Sequence, residues 1–308
     1  MRRFVVNLFI FGLLIILGLA GIECVSRNSS NLYSEKSRYI QNHGKDIETL
    51  FMGSSVTFWG VSPAVWTLDD AFNVAFNSHD ISMNYHIFKA SIDKMPHLKR
   101  VILEMSYFSL FDCPADKDYN PRWIFLGTDF GTDKYSLFSR YGLQIFYPDE
   151  VRTKLLPWVI SPIAADSLGH SMMPVLAVRK PDWKENTLIA TVQTASDWRW
   201  LETNYREYAA LLDLCCLHSV KVILYIPPVS RRFLDFVSEA QEKEMLRRVE
   251  MLRQQYGVAV INLFRDTTFT DNDFADLMHL NTDVGAAHLT MKLQECVEQL
   301  EKNDIDIK

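Results

Sequence analysis

The chain has 308 residues, enough for one large domain or two small ones, and 48% hydrophobic against 23% charged residues gives it the material for a sizeable core. Its net charge of −6 and pI near 5.8 exclude a nucleic-acid binder. The longest basic runs are the pairs Arg2-Arg3, Arg231-Arg232 and Arg247-Arg248, and tracking phosphates takes a basic face.

Met1-Arg2-Arg3 precedes Phe4 to Ile22, which is apolar except for Asn7. A run of about 20 apolar residues is long enough to span a bilayer, and basic residues before it favour a cytoplasmic N-terminus. Residues 1–23 are therefore expected to be a transmembrane signal anchor, with the rest of the chain extracytoplasmic. A cleavable signal peptide is the rival, and the length of the run argues against it. Residues 24–46 are polar and Ser/Asn-rich and read as a linker. Cys113, Cys215, Cys216 and Cys296 show no zinc-type spacing and read as buried thiols.

From residue 47 strands and helices alternate. Ile47–Met52 reads as a strand, Pro63–Leu68 as a short helix and Ala71–Ala75 as a second strand. Ser82–Met95 carries Met83, His86, Ile87, Ala90 and Ile92 at helical spacing and is stopped by Pro96. Arg100–Met105 is a buried strand. Residues 112–200 hold five tryptophans and little periodicity, and read as an insertion that forms one wall of a site. The alternation resumes with helix Glu202–Ser219, strand Lys221–Ile226, helix Asp235–Tyr256, strand Val258–Leu263 and helix Gly285–Glu301. This order predicts an α/β domain over 47–308, with a parallel sheet covered on both faces.

In such a sheet, ligands sit beyond the carboxyl ends of the strands. Gly53-Ser54-Ser55 follows the first strand, and Asp276-Leu277-Met278-His279 follows the last. Both segments are expected at one edge. A serine hydroxyl is a poor nucleophile until a base takes its proton, and histidine titrates in the right range to do so. A carboxylate three residues before the histidine can hold the imidazole. Ser55, His279 and Asp276 are thus the candidate nucleophile, base and orienting group, with Ser54 as an alternative nucleophile. The oxyanion needs fixed donors: the Ser55 N–H is one candidate, and Asn77 or Ser78, after the second strand, is another. His79 and Asp80 are candidates for the mouth of the site. An acyl-serine route calls for neither metal nor cofactor.

Phe51-Met52-Gly53-Ser54-Ser55 resembles the first block of the GDSL/SGNH hydrolase superfamily, and Asp276-Leu277-Met278-His279 followed by Leu280-Asn281 resembles its last block. The likeness covers roughly 47–111 and 202–300. It implies a three-layer α/β/α fold of flavodoxin-like order with Ser55 as nucleophile. The Gly-Ser-Ser form is similar to the membrane-anchored envelope members, the teichoic acid D-alanylation and alginate-type O-acetyltransferase group. That subgroup implies transfer of an acyl group to an envelope polysaccharide, with a multi-spanning membrane protein as acyl donor. An esterase acting on the same bond and a catalytically inactive scaffold or assembly protein remain open. Two departures stand out. Asn73-Val74-Ala75-Phe76-Asn77-Ser78 lacks the second block's glycine, and Glu104-Met105-Ser106-Tyr107 stands where the third block has Gly-x-Asn-Asp.

Overall fold

The computed structural model describes residues 1–112, 122–132, 142–144, 164–172, 182–194 and 197–306. Most of the expected insertion, and Cys113 with it, lies outside the described residues.

Five parallel strands form one sheet: β1 (Thr49–Met52), β2 (Ala71–Asn73), β3 (Arg100–Glu104), β4 (Lys221–Ile226) and β5 (Ala259–Asn262), in the order β2-β1-β3-β4-β5. The register runs Phe51 against Asn73 and Ile102, Ile102 against Ile223, and Leu224 against Val260. The central strands are mainly apolar because both faces are covered, with Arg100 and Glu104 at the two ends of β3; every residue of β1 and β3 is buried. The helices are α1 (Arg2–Asn28), α2 (Leu32–His43), α3 (Ser55–Gly60), α4 (Ile81–Ser91), α5 (Arg122–Phe125), α6 (Leu188–Thr194), α7 (Leu201–Leu217), α8 (Glu239–Tyr256) and α9 (Val284–Asp306). Right-handed crossovers send α3 to one face of the sheet and α4, α7 and α8 to the other. The packing agrees: α4 and α8 both lie against α7, whereas α9 returns to lie against α3. The strand order changes direction between β1 and β3. A ligand crevice is therefore expected at the carboxyl ends of those two strands.

The segment read as a linker is helical. α1 continues to Asn28, and α2 follows after three residues. Asn31 caps α2 through a reciprocal box with Ser34, and Lys36, Ser37 and Ile40 are buried against the domain. Polar composition misled here because serine and asparagine serve as caps, and because the buried stripe of α2 is narrow.

α1 is long and apolar enough to cross a membrane, with a mean hydropathy of 2.7 over its best window and none of that window buried. Its far end docks on the domain. Ser26 Oγ donates to Gln144 Oε1 at 2.7 Å, and the Gln144 N–H donates to Glu23 Oε1 at 3.1 Å. Arg27 donates to the Gly142 carbonyl. Pro63–Leu68, expected as a short helix, is a 3-10 turn over Pro63–Val65, and α8 begins at Glu239 after a separate turn at Phe233–Phe236. Of the cysteines read as buried, Cys215 is buried and its neighbour Cys216 is exposed, since adjacent helical residues face different ways.

Candidate functional site

β1 ends at Met52, and through Gly53 the chain turns directly into α3, with Ser54 as N-cap and Ser55 as the first helical residue. The turn is held from below by Glu104, the last residue of β3, which is 2% exposed. Its Oε2 accepts from the Ser54 N–H at 2.9 Å, the Thr57 N–H at 3.0 Å and Thr57 Oγ1 at 2.5 Å. Its Oε1 accepts from Ser54 Oγ at 2.6 Å and from Ser106 Oγ. The carboxylate thus supplies acceptors to the N-terminus of α3, where backbone N–H groups lack intrahelical partners. Glycine is required at position 53, where a Cβ would run into both Thr57 Oγ1 and Glu104 Oε2. Ser54, the alternative nucleophile, is buried and committed to this clamp.

The loop between β5 and α9 brings the second segment to the same edge. A short antiparallel bridge pairs Phe274 with Leu280, and the Ala275 N–H donates to the His279 carbonyl at 2.8 Å. This forces residues 276–279 into a tight turn. Ser230 fixes the turn from outside by donating its hydroxyl to the Leu277 carbonyl at 2.7 Å. Within the turn, Asp276 Oδ1 accepts from the N–H groups of Met278 at 2.9 Å and His279 at 2.7 Å. Its other oxygen, Oδ2, lies 2.8 Å from His279 Nδ1. On the opposite side of the ring, His279 Nε2 lies 2.7 Å from Ser55 Oγ.

Ser55, His279 and Asp276 therefore form one continuous chain of hydrogen bonds. The bond to Asp276 fixes Nδ1 as the protonated ring nitrogen and leaves Nε2 to accept from the serine. Burial works to lower the His279 pKa, but the Asp276 charge and hydrogen bond outweigh it, and the net displacement is upward from 6.5. Burial likewise works to raise Asp276, and the His279 charge and the hydrogen bonds it accepts hold it below the ordinary carboxylate value.

Trp59, one turn after Ser55, lies against the imidazole with ring centroids 4.7 Å apart. Its Nε1–H donates to Asn77 Oδ1 at 2.9 Å. An indole N–H only donates, so the asparagine must present its oxygen to Trp59 and its NH2 elsewhere. The second-strand loop is thereby tied to the His279 side of the site. Ser78 is exposed and left-handed, with φ 55°, a conformation that costs an L-residue about 1–2 kcal/mol and glycine nothing. His79 and Asp80 are buried and, with Gly53 and Ser54, line a small pocket beside the β1–α3 turn. His79 is 4% exposed with Nε2 3.1 Å from the Tyr33 hydroxyl, and burial pushes its pKa well below 6.5. Asp80 caps α4 by accepting from the Met83 N–H at 2.9 Å.

The sequence reading missed three supporting residues: Glu104, Trp59 and Asn73. Glu104 carried a signal, an acidic residue ending the buried run that follows Arg100 in β3. Asn73 donates from Nδ2 to the carbonyls of Thr57 at 2.9 Å and Val61 at 2.8 Å, and accepts from the Ala75 N–H at 3.0 Å. It thus joins β2 to α3. Among the described residues no group of histidine, cysteine and carboxylate side chains is placed to hold a metal ion.

No curated protein matches the chain. Two crystal structures are similar in outline. One is a candidate acylhydrolase from Bacteroides fragilis, at 10% identity over 85% of this chain and 95% of that one, with a TM-score of 0.44. The other is a GDSL-like lipase from Bacteroides thetaiotaomicron, at 10% identity over 88% of this chain and 100% of that one, with a TM-score of 0.42. The family model for the DltD protein matches residues 187–283, a stretch from α6 through β5 that includes Asp276 and His279. The chain is thus a parallel α/β protein that, over residues 187–283, resembles the DltD proteins.

Proposed function

We propose that the protein transfers an acyl group through a covalent ester on Ser55. The observation that supports this most directly is the unbroken path from Ser55 Oγ through His279 to Asp276, at 2.7 and 2.8 Å. His279 Nε2 takes the hydroxyl proton as Ser55 Oγ attacks the acyl carbonyl. Asp276 stabilises the imidazolium that forms. The Ser55 N–H, at the first position of α3, and the Asn77 side-chain NH2 are the donors proposed for the oxyanion. His279 then returns the proton to the leaving group, and the acyl-serine remains. An incoming hydroxyl repeats the sequence in reverse: it loses its proton to His279, takes the acyl group and frees Ser55.

The likeness to DltD proteins favours an envelope polymer as acceptor, with α1 as a membrane anchor and the α/β domain on the extracytoplasmic side. On this reading the acyl group comes from a multi-spanning membrane protein. Water in place of the polymer hydroxyl makes the same residues an esterase.

Labelling by a serine-reactive fluorophosphonate tests the reading. The wild type should label and Ser55→Ala should not; a wild type that never labels, and a Ser55→Ala strain indistinguishable from it, would leave a non-catalytic scaffold. A chromogenic acetyl ester offered with and without oligosaccharide acceptors separates transfer from hydrolysis. Release of free acid alone with every acceptor would count against transfer.

A further inference from the structure

The loop from β2 to α4 carries Asn77, and it is gripped by a helix with no place in the chemistry so far. α2 is the first helix after α1, and it inserts two side chains against this loop. Lys36 is 2% exposed, and its Nζ donates to the Ala75 carbonyl. The same Nζ lies 4.4 Å from the centroid of the Phe58 ring and 4.6 Å from that of Phe76. Phe58 belongs to α3, three residues after Ser55, and Phe76 immediately precedes Asn77. Tyr33, one turn earlier on α2, stacks on Phe76 at 4.4 Å and 10°.

A buried lysine is costly, since burial pushes its pKa well below 10.5 and the amine needs a hydrogen-bond partner. An apolar residue of equal length would fill the same space at lower cost. What the amine adds is directional: it pulls the Ala75 carbonyl toward α2 while two ring faces hold the nitrogen in place. Ala75 is already fixed on its other side, where its N–H donates to Asn73. Its peptide groups thus have both polar ends anchored, two residues before Asn77.

We infer that Lys36 is a positioning residue for acyl transfer, holding the loop that carries Asn77 at the distance from Ser55 which the oxyanion requires. This rests on the reading of Ser55 as nucleophile. Lys36 touches neither substrate nor reacting atoms and acts through the Ala75 carbonyl and the Phe58 and Phe76 rings.

The test uses the full-length chain with Lys36→Met, which keeps the apolar stem and removes the donor, and Lys36→Ala as a second variant. Active sites are counted by fluorophosphonate labelling carried to completion, and turnover of an acetyl ester is expressed per labelled site. Removing one oxyanion donor typically costs about 100- to 1000-fold in turnover. A donor displaced rather than deleted should cost roughly 10- to 100-fold in kcat per labelled site, with KM within about threefold of wild type. A cavity of about 330 Å³ between α2 and residues 165–169 is lined in part by Lys36, and ethylammonium added to Lys36→Ala should restore part of kcat. If Lys36 only supports the fold, fewer sites label but kcat per labelled site equals wild type; that result overturns the inference while leaving Ser55 in its role. A wild type that never labels overturns both.

Discussion

Asp276→Asn isolates the part of the site that sets the direction of proton flow. The amide occupies the same space as the carboxylate, and its oxygen can still accept from the N–H groups of Met278 and His279, as Oδ1 does at 2.9 and 2.7 Å. The NH2 group then faces His279 Nδ1 where Oδ2 stood at 2.8 Å. Two donors cannot face each other, so the imidazole shifts its proton to Nε2 and presents N–H to Ser55 Oγ instead of a lone pair. The nucleophile has no base. In serine triads this exchange lowers kcat by about 10⁴, or about 5.4 kcal/mol at 1.36 kcal/mol per decade. The pH dependence moves as well. His279 works as a base only when neutral, so activity rises as pH climbs through its pKa. Asp276 holds that pKa above 6.5, which places the acid limb of the wild-type profile above 6.5. With the charge gone, burial is unopposed by Asp276 and the limb of the residual activity should fall to lower pH. Ester turnover from pH 5 to 9, normalised to labelled sites, reads both effects. A loss smaller than about tenfold with an unmoved limb would refute the assignment of Asp276.

Glu104 should matter for the shape of the nucleophile turn. In Glu104→Gln the amide oxygen can keep the two N–H donors while its NH2 faces the Ser54 and Ser106 hydroxyls, which can rotate to accept. The cost should be about 2 kcal/mol, against about 4 kcal/mol for Glu104→Ala, which orphans every donor; at roughly 3 °C per kcal/mol, thermal melts should fall by about 6 and 12 °C. Equal melts for the two variants would discount the clamp. Ser78→Gly should leave the melting temperature within about 3 °C of wild type, because relief of the left-handed strain offsets the entropy glycine gains in the unfolded chain. Ser78→Val should lower it, and the reverse order would contradict the positive φ as a source of strain.

The alternation of apolar strands and amphipathic helices was readable from residue 47 onward because both faces of a parallel sheet are covered, so its strands show as apolar runs such as 101–103 and 222–226. Asp276 and His279 were readable because one turn contains both. What supports them was not. The Glu104 clamp joins residues 50 positions apart, and the Asn77–Trp59 bond depends on a side-chain orientation that no periodicity records. α2 was missed for a different reason: Leu32, Tyr33, Tyr39 and Ile40 pack on the core at helical spacing, but the buried Lys36 and Ser37 between them interrupt the apolar stripe.

The docking of α1 on residues 142–144 and the immediate start of α2 set how far the proposed nucleophile, Ser55, can roam. Had residues 24–46 been a flexible tether, its r.m.s. span would be roughly 25 Å, and the domain would sample every tilt above the bilayer. With α1 in a membrane, a helix of 12 residues, about 18 Å long, packed on the domain replaces that freedom. On the proposed function, the search for a membrane-borne acyl donor would become two-dimensional, with Ser55 presented at one height and one angle. Under that proposal donor and acceptor would divide the labour unequally: the donor could be a rigid partner in the same plane, whereas a polymer chain would itself have to be supple enough to reach down to Ser55.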